Sequence, residues 1–424
     1  MMKVLVVGSG GREHALVWKM AQSPLVKRLY AIPGNPGMAQ FAECISIQAD
    51  DIDAIVNFAF REKIDLTVVG PEISLALGIC DRFAEKGLKI FGPTRRAARI
   101  ESSKIFSKNL MLKYHIPTAK SESFTALNPA RGFIKKSLKP LVIKADGLAG
   151  GKGVIIAQTE SEALEAIDAF MNKKSLGEAG QSVLIEEFLE GEELSYLVIT
   201  DGKTVLPLSA AQDHKKIYDG EKGPNTGGMG AYSPVPFVQN AAFENSILNE
   251  VMIPMVKALE KEGSPFTGFL YGGLMLTKNG IKVLEFNARL GDPETQAILP
   301  RLESDLVEVL DAALENRLNQ IRLKWSQKSA VCVVIASAGY PGPLKPKVPI
   351  TGLDRFESIK DRCMVFHAGT ELKNNELLAS GGRVLGVTAW GLSLKEAREF
   401  AYEGVSKIQF EGMQYRKDIG FKNQ

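Results

Sequence analysis

Through the first hundred residues, short apolar runs alternate with longer stretches in which apolar positions recur at helical spacing. The short runs predict strands, and the spaced stretches predict helices. The predicted strands are Lys3–Val7, Arg28–Ile32, Leu66–Val69 and Lys89–Phe91, and the predicted helices are Arg12–Ser23, Ile52–Glu62 and Ser74–Lys86. Strands that alternate with helices of this length favour a parallel, doubly wound sheet. Glycine- and proline-rich turns follow the strands, at the edge where such sheets bind ligands.

After about residue 102 the pattern predicts antiparallel strands. Leu141–Lys144 and Val154–Ala157 flank a glycine loop and predict a hairpin. Gly273–Phe286 predicts another hairpin, with Asn279-Gly280 as a type I′ turn. Further predicted elements here are a helix at Ser161–Met171 and strands at Val183–Phe188 and Leu194–Thr200.

The last hundred residues predict a small α+β domain. Its predicted strands are Ala330–Ala336, Met364–Ala368 and Val384–Ala389, followed by an amphipathic helix at Ser393–Ile408. We therefore expect three domains, at residues 1–102, 103–325 and 326–424.

Composition narrows the class of protein. Hydrophobic residues make up 45% of the 424 and charged residues 24%, and the net charge is 52 − 49 = +3, without a basic stripe of the kind that binds nucleic acid. Four cysteines lie far apart and predict free thiols in a reducing compartment. No run has the apolar length of a signal peptide or membrane span. We expect a cytoplasmic monomer without nucleic-acid or membrane partners.

The turn Gly8–Gly11 departs from a dinucleotide fingerprint. Glu13 stands at the third glycine, and Asn35 stands near the end of the second strand, where a ribose-binding acid is required. A nicotinamide cofactor is therefore not expected. The helix N-terminus that follows suits a phosphate or carboxylate. The alternative is a turn that only reverses the chain.

A second glycine-rich segment, Ala145–Gly153, is not a P-loop. That motif needs glycine at 146 and Ser or Thr after Lys152, where this chain has Asp146 and Gly153. Its backbone N–H groups can still surround phosphate oxygens, and Lys144 on the preceding strand adds a positive charge. The segment predicts a phosphate-binding loop.

An acidic run covers Glu186–Glu193. Phe188-Leu189 offers apolar contact to a purine, Glu186 can accept from its amino group, and Glu193 can accept from ribose hydroxyls. A solvated acidic face is an equal alternative.

The segment Lys282–Thr295 predicts a metal site. Side chains alternate along a strand, so Glu285 and Asn287 share one face, and Leu284 and Phe286 should point into a core. Two oxygen donors suit a hard cation such as Mg²⁺. Arg289 would follow on the same face and could bind an anion. The alternative is an edge strand with polar residues facing water.

A glycine-rich region near the middle of the chain is too unusual for an ordinary connection. Gln212–Lys215 and Gly223–Gly230 could position a small polar substrate. His214 alone is more often a structural histidine. The four histidines suggest neither a metal cluster nor a catalytic triad.

Together these residues resemble the ATP-grasp superfamily and, within it, the phosphoribosylamine–glycine ligase family. The similar stretches run from the first strand to the C-terminus. They are Val4–Ala15, Val69–Glu72, Ile143–Gly147, Gln212–Lys215, Pro224–Pro234, Glu285–Gln296, His367–Thr370 and Arg416–Gly420. The resemblance implies an N-terminal doubly wound parallel sheet, a central ATP-grasp domain with a mobile lid at about residues 120–190, and a C-terminal α+β domain. It also implies the joining of glycine to 5-phosphoribosylamine, with ATP and Mg²⁺ or Mn²⁺, in purine synthesis.

The resemblance also implies roles for individual residues. ATP would be held by Lys104, Lys144, Gly147, Gly150, Gly151, Lys152, Gly153, Glu186, Glu187, Phe188, Leu189 and Glu193. The metal would be held by Glu285 and Asn287. The other substrates would meet Gly10, Gly11, Asn35, Pro71, Glu72, Asp213, His214, Lys215, Gly228, Arg289 and Asp292. The residues expected to act in catalysis are Lys144, Asp213 and Arg289.

Three alternatives stay open on the sequence. They are an ATP-grasp ligase with a different acid or amine, an oxidoreductase built on the first hundred residues, and a nucleotide-binding regulator without turnover.

The sequence departs from the ATP-grasp pattern at one expected metal ligand. Tyr271–Met275 carries no acid, whereas many ATP-grasp enzymes place a further ligand on this strand, so the complete coordination sphere is left open.

Overall fold

A computed structural model describes residues 1–238, 240–344 and 347–421. The last three residues of the predicted C-terminal domain lie outside the described residues. Among the described helices, none is both long and apolar enough to cross a membrane.

The first hundred residues form a parallel sheet. Its elements are β1 (Met2–Gly8), α1 (Gly11–Met20), β2 (Val26–Pro33), β3 (Glu43–Cys44), α2 (Ile52–Glu62), β4 (Leu66–Val69), α3 (Glu72–Ala76), α4 (Ile79–Glu85) and β5 (Ile90–Phe91). The strand order is β3-β2-β1-β4-β5, which confirms the predicted doubly wound sheet. The single helix predicted over Ser74–Lys86 is wrong. Gly78 takes φ +89°, a conformation that favours glycine, and separates α3 from α4.

Two antiparallel sheets dominate the central part. The elements are α5 (Arg99–Ser102), α6 (Lys104–Lys113), β6 (Ser121–Phe124), α7 (Leu127–Lys136), β7 (Leu141–Ala145), β8 (Val154–Ala157), α8 (Glu160–Ile167), β9 (Val183–Glu187), β10 (Glu192–Asp201), β11 (Val205–Pro207), β12 (Gln212–Asp213), β13 (Lys216–Tyr218), β14 (Lys222–Asn225), β15 (Gly230–Ser233), α9 (Ala241–Ile247), α10 (Ile253–Lys261), β16 (Thr267–Thr277), β17 (Gly280–Asn287), α11 (Glu294–Ile298) and α12 (Leu306–Leu314). One sheet has the order β6-β9-β7-β8 and packs on α7 and α8 around its own core. The other has the order β11-β10-β16-β17. Both predicted hairpins are confirmed.

The turn and register of the β16–β17 hairpin differ from the prediction. Gly280 has φ +100°, but Asn279 is not among the described residues with positive φ, so the turn is not type I′. The register shifts so that Gly273 pairs with Glu285 and Leu274 with Val283, which leaves Leu284 as the extra residue of a β-bulge. Strict alternation therefore fails here. Leu284 is only partly buried and lines the main cavity.

The last part is α+β, as predicted. Its elements are β18 (Ser329–Ala336), β19 (Val348–Pro349), β20 (Cys363–His367), β21 (Thr370–Lys373), β22 (Glu376–Ala379), β23 (Arg383–Gly391) and α13 (Leu394–Lys407). Its larger sheet has the order β12-β15-β18-β23-β20, so two strands from the central part complete it. This sheet crosses the boundary predicted near residue 326, and the boundary itself stays a prediction.

Candidate active site

One cavity of about 480 Å³ gathers residues from all three parts of the chain. Of the residues predicted from the sequence, it is lined by Glu72, Lys104, Lys144, Gly147, Gly150, Gly151, Gly153, Glu186, Glu187, Phe188, Leu189, Glu193, Asp213, Lys215, Glu285, Asn287, Arg289 and Asp292. Both central sheets contribute to it, and so do α3, α5 and α6. Most of the residues predicted to bind phosphate, adenine, metal and substrates thus lie around a single space.

Seven predicted residues do not line this cavity: Gly10, Gly11, Asn35, Pro71, Lys152, His214 and Gly228. Both polar atoms of the Asn35 side chain make hydrogen bonds within the protein. It donates to the carbonyl oxygens of Ser9 and His367, and it accepts from the backbone N–H groups of Gly37 and Met38. Asn35 therefore joins the N-terminal loops to the C-terminal sheet, and its role in substrate binding stays a prediction.

His214 is buried beside Tyr232. Burial, with Arg416 nearby, lowers the pKa of His214 to about 4. Among the described residues, its Nδ1 atom has no hydrogen-bond partner. The ring is therefore neutral at physiological pH, and this placement fits the structural alternative raised for His214.

Two further buried histidines face each other where α1 meets β20. His14 Nδ1 accepts from the backbone N–H of His367 at 2.8 Å, and His367 Nδ1 lies 3.1 Å from Thr370 Oγ1. Burial, with His367 nearby, lowers the pKa of His14, and burial lowers the pKa of His367 to about 4.

These histidines predict an acid-sensitive stability. A histidine whose folded pKa is depressed binds fewer protons than in the unfolded chain, so its contribution is complete above pH ~6.5 and is lost as pH falls towards 4. For His367 the loss is about 2 kcal/mol at pH 5. Urea unfolding at pH 7 and pH 5 should show a smaller acid loss in His367→Gln than in the wild type. Equal losses in both proteins would contradict this. Buried acids with a raised pKa, such as Asp213, stabilise the folded state more as the pH falls. They do so in the wild type and in the variant alike, so the difference between the two proteins measures the contribution of His367.

A buried ion cluster lines the cavity around Glu186. Glu186 lies between two lysines, with Oε2 2.5 Å from Lys144 Nζ and Oε1 2.5 Å from Lys108 Nζ. Burial alone would raise the pKa of Glu186, but the two lysines outweigh it, and the pKa is lowered. Lys144 Nζ also donates to the carbonyl oxygen of Leu284 at 2.7 Å. The β-bulge thus supplies an acceptor that orients Lys144 towards the cavity.

The glycine loop is anchored at its entry by Asp146. Its carboxylate accepts from Ser103 Oγ at 3.0 Å and from the backbone N–H of Ile105 at 2.9 Å, so it caps the N-terminus of α6. Lys104 Nζ donates to the carbonyl oxygen of Gly147 at 3.0 Å. The aspartate that breaks the P-loop pattern is therefore a structural anchor, and the glycines beyond it carry the cavity wall.

Glu285 and Asn287 both line the cavity. Burial alone would raise the pKa of Glu285, but Lys215, Lys144, Lys104 and Arg289 outweigh it and keep the carboxylate ionised. Within the described residues, no group of three or more acidic, histidine or cysteine side chains is arranged so that it could hold a metal ion. One carboxylate and one amide oxygen still fit Mg²⁺, which commonly takes few protein ligands and completes its shell with phosphate oxygens and water.

Arg289 is held by two carboxylates. Its Nη2 atom lies 2.8 Å from Glu101 Oε1, and its Nε atom lies 3.3 Å from Glu72 Oε2. Burial opposes ionisation of Glu72, but Arg289 and Arg12 lower the pKa of Glu72 to about 2. Arg12 also lines the cavity and donates to the carbonyl oxygen of Leu290. Two guanidinium groups therefore line the cavity, each paired with a carboxylate.

Asp213 lies near a second acid. Burial, then Glu294, raise the pKa of Asp213. Among the described residues, its Oδ1 atom has no hydrogen-bond partner. Glu294 is buried and accepts from Ser195 Oγ at 2.8 Å. An unpartnered carboxylate with a raised pKa can accept a proton or a cationic amine.

Five charged residues line the cavity but were not predicted as site residues: Arg12, Glu101, Lys108, Glu294 and Arg383. Lys108 had a usable signal, because it follows Lys104 by four residues and shares its helix face. Arg12 and Glu294 lie inside stretches already singled out. Glu101 and Arg383 gave no signal, because only the fold brings them to the site. Arg383 Nη2 lies 3.3 Å from Asp292 Oδ2.

Profiles of three domains match the chain. They describe phosphoribosylglycinamide synthetase: its N domain at residues 2–101, its ATP-grasp (A) domain at 102–295 and its C domain at 330–422. The chain belongs to the phosphoribosylglycinamide synthetase family. The resemblance noted in the sequence is thereby confirmed, and so are the ATP-grasp fold and the class of ATP-dependent ligase.

Individual members of the phosphoribosylglycinamide synthetase family match over almost the whole chain. The phosphoribosylamine–glycine ligase of Halalkalibacterium halodurans is 50% identical over 99% of this chain and 97% of its own length. That of Caldanaerobacter subterraneus is 51% identical over 99% of both chains. The crystal structure of phosphoribosylamine–glycine ligase from Thermotoga maritima superposes with a TM-score of 0.85 at 33% identity, covering 98% of this chain and 99% of that one.

Proposed function

We propose that this chain joins glycine to 5-phosphoribosylamine, forming glycinamide ribonucleotide, ADP and phosphate through a glycyl phosphate intermediate. The observation that carries the proposal is the gathering of four kinds of group around one cavity. It is lined by lysines with a glycine loop, by the Glu285 and Asn287 pair, by Arg289, and by the acids Asp213 and Asp292. This combination suits a nucleotide, a metal and two small substrates. The activity of the relatives supports the choice of substrates.

The nucleotide would occupy the space between the two antiparallel sheets. Apolar side chains at this end, including Val142, Ile156 and Met275, suit the faces of a purine. The backbone of Glu187–Leu189 would hold the adenine edge, and Glu193 the ribose. Both carboxylate oxygens of Glu186 already face lysines, so its contact with the adenine amino group would require it to share them.

Glu285 and Asn287 would hold Mg²⁺ or Mn²⁺. A bound divalent cation neutralises phosphate charge and aligns the phosphates for transfer. Arg289 stands where a second anion, a carboxylate or a phosphate, would meet a guanidinium group, which binds such anions through paired hydrogen bonds.

The chemistry follows from the poor reactivity of a carboxylate, whose leaving group would be oxide. An oxygen of the glycine carboxylate takes the γ-phosphoryl group of ATP, and ADP leaves. The amine of phosphoribosylamine then attacks the acyl carbon, loses a proton, and phosphate leaves. Lys104, Lys144 and the loop amides would stabilise charge on the transferring group, and Asp213 would accept the proton. Closure of the glycine loop would keep water from the acyl phosphate.

The proposal extends to a cytoplasmic monomer. The four cysteines are free, and three of them are buried, which fits a reducing compartment. Size-exclusion chromatography with light scattering would test the monomer.

The test of the proposed function is phosphate release and product mass with each substrate supplied and withheld. ATP, a divalent cation, glycine and freshly generated phosphoribosylamine should all be required for glycinamide ribonucleotide to form. If a different amine or acid supports turnover and this pair does not, the proposed substrates are wrong and only the class of ligase remains.

A further inference from the structure

The end of the described chain buries an arginine outside the cavity. Arg416 is 1% exposed, and its guanidinium donates to Asp418 through two hydrogen bonds of 2.8 Å. It also donates to Glu221 at 2.7 Å and to the carbonyl oxygen of Lys216 at 3.1 Å. A buried cation with two carboxylate partners is sensitive to the loss of any member. The chemistry proposed above makes no use of this cluster.

Two partners of Arg416, Glu221 and the carbonyl oxygen of Lys216, lie on the hairpin β13–β14. Asp418, besides binding Arg416, accepts from the backbone N–H of Gly220 at 2.8 Å. Asp219 accepts from the backbone N–H of Lys417 at 2.8 Å. Side-chain and backbone bonds from the C-terminal segment therefore hold the turn of this hairpin in one position.

Both ends of the hairpin reach the cavity. Lys215 precedes β13, Thr226 follows β14, and both line the cavity. The backbone N–H and the Oγ1 hydroxyl of Thr226 each donate to the carbonyl oxygen of Lys215 at 2.8 Å, and Thr226 Oγ1 accepts from the backbone N–H of Gly228 at 3.0 Å. A displacement of the hairpin would therefore move Lys215 and the loop that follows Thr226 together.

The same loop has a second attachment to the C-terminal domain. Arg383 donates to the carbonyl oxygen of Gly227 at 2.7 Å, and Tyr340 OH accepts from the backbone N–H of Gly227 at 2.9 Å. Arg383 and Tyr340 line the cavity themselves, so they can touch a ligand directly. Arg416 does not line the cavity, so it can act on a ligand only through the residues that it contacts.

We propose that Arg416, together with Asp418 and Glu221, is a positioning group for the substrate-binding loops at Asp213–Lys215 and Thr226–Gly228. The identity of the affected substrates, glycine and phosphoribosylamine, rests on the proposed function. The cluster gives the C-terminal segment a defined part in the reaction, because small displacements of positioning groups of about 1 Å can lower rates by roughly a hundredfold. Under the proposed function the ATP phosphates would meet Lys104 and Lys144, whose hydrogen bonds go to the carbonyl oxygens of Gly147 and Leu284 and not to the hairpin.

The substitution Arg416→Lys tests the proposal, because lysine keeps the charge but cannot bind both oxygens of Asp418 while reaching Glu221. We expect kcat/KM for glycine and for phosphoribosylamine to fall between roughly tenfold and a hundredfold, with the KM for ATP changed less than about threefold. Hydrogen–deuterium exchange should quicken in peptides covering 213–228 and stay unchanged in β9 and β10. This exchange readout does not depend on activity.

A second variant and a control keep the test decisive. Glu221 is 35% exposed on its side chain, so Glu221→Gln should fold even if Arg416→Lys does not, and it should show the same pattern with a smaller effect. Glu403→Gln breaks the 2.9 Å ion pair to Arg362 in the same domain, away from the hairpin, and should leave both readouts unchanged. Losses that fall equally on ATP, or unchanged exchange of the hairpin, would overturn the proposal. A wild-type protein without ligase activity would instead refute the proposed function, and the exchange comparison would still decide the anchoring.

Discussion

Replacing Glu285 with alanine is expected to lower kcat by about a thousandfold or more, with the fold retained. Glu285 supplies the carboxylate of the expected metal site, where four cations keep it ionised. Without it, Asn287 alone offers an oxygen there, and an amide oxygen is too weak a ligand to hold a divalent cation by itself. Steady-state kinetics with saturating substrates measures the effect.

The fold should survive because the surrounding cations have other partners. Lys144 retains Glu186, Lys215 lies 3.2 Å from Glu193, and Arg289 retains Glu101. The Tm should therefore change little. Glu376→Ala removes an exposed strand glutamate far from the cavity and is the matched control, with normal turnover expected. Normal turnover by Glu285→Ala would remove the metal assignment.

Replacing Lys144 with methionine should lower kcat by roughly a hundredfold to a thousandfold. Methionine keeps much of the length of the side chain but loses the ammonium group, which the bulged carbonyl of Leu284 orients towards the cavity. Glu186 would not be left as an uncompensated buried charge, because Lys108 remains 2.5 Å from it. The loss should therefore appear in catalysis rather than in folding.

The control for this prediction is Lys135→Met, the same chemical change at an exposed position of α7. It should leave both kcat and Tm near the wild-type values. A Lys144→Met variant that unfolds at a much lower temperature, or that turns over normally, would show that Lys144 serves the ion cluster and not the phosphates.

The parallel sheet could be predicted because its strands are continuous buried runs separated by regular helices. β4 and α2 have the predicted limits, and the β16–β17 hairpin was visible from its two apolar strands. The division at Gly78 and the bulge at Leu284 could not be predicted, since each depends on a backbone conformation that the neighbouring side chains do not reveal.

The candidate site was predicted wherever its residues cluster in the sequence. The glycine loop, the acidic run and the Glu285–Asp292 segment each indicate a function by residue type and spacing. Glu101 and Arg383 were not predictable because each is a single charged residue in an ordinary stretch, brought to the cavity only by the fold. Asn35 and His214 show the converse, because they lie in marked segments while their side chains serve contacts inside the protein.

The central claim, ligation through an acyl phosphate formed from glycine, is tested most directly by isotope transfer. Glycine carrying ¹⁸O in both carboxylate oxygens would be supplied with ATP, a divalent cation and phosphoribosylamine, and the phosphate released would be analysed by mass spectrometry. We expect one ¹⁸O atom in the phosphate for each glycinamide ribonucleotide formed. Product formation with unlabelled phosphate would contradict it, because the carboxylate oxygen would then never have been bonded to phosphorus.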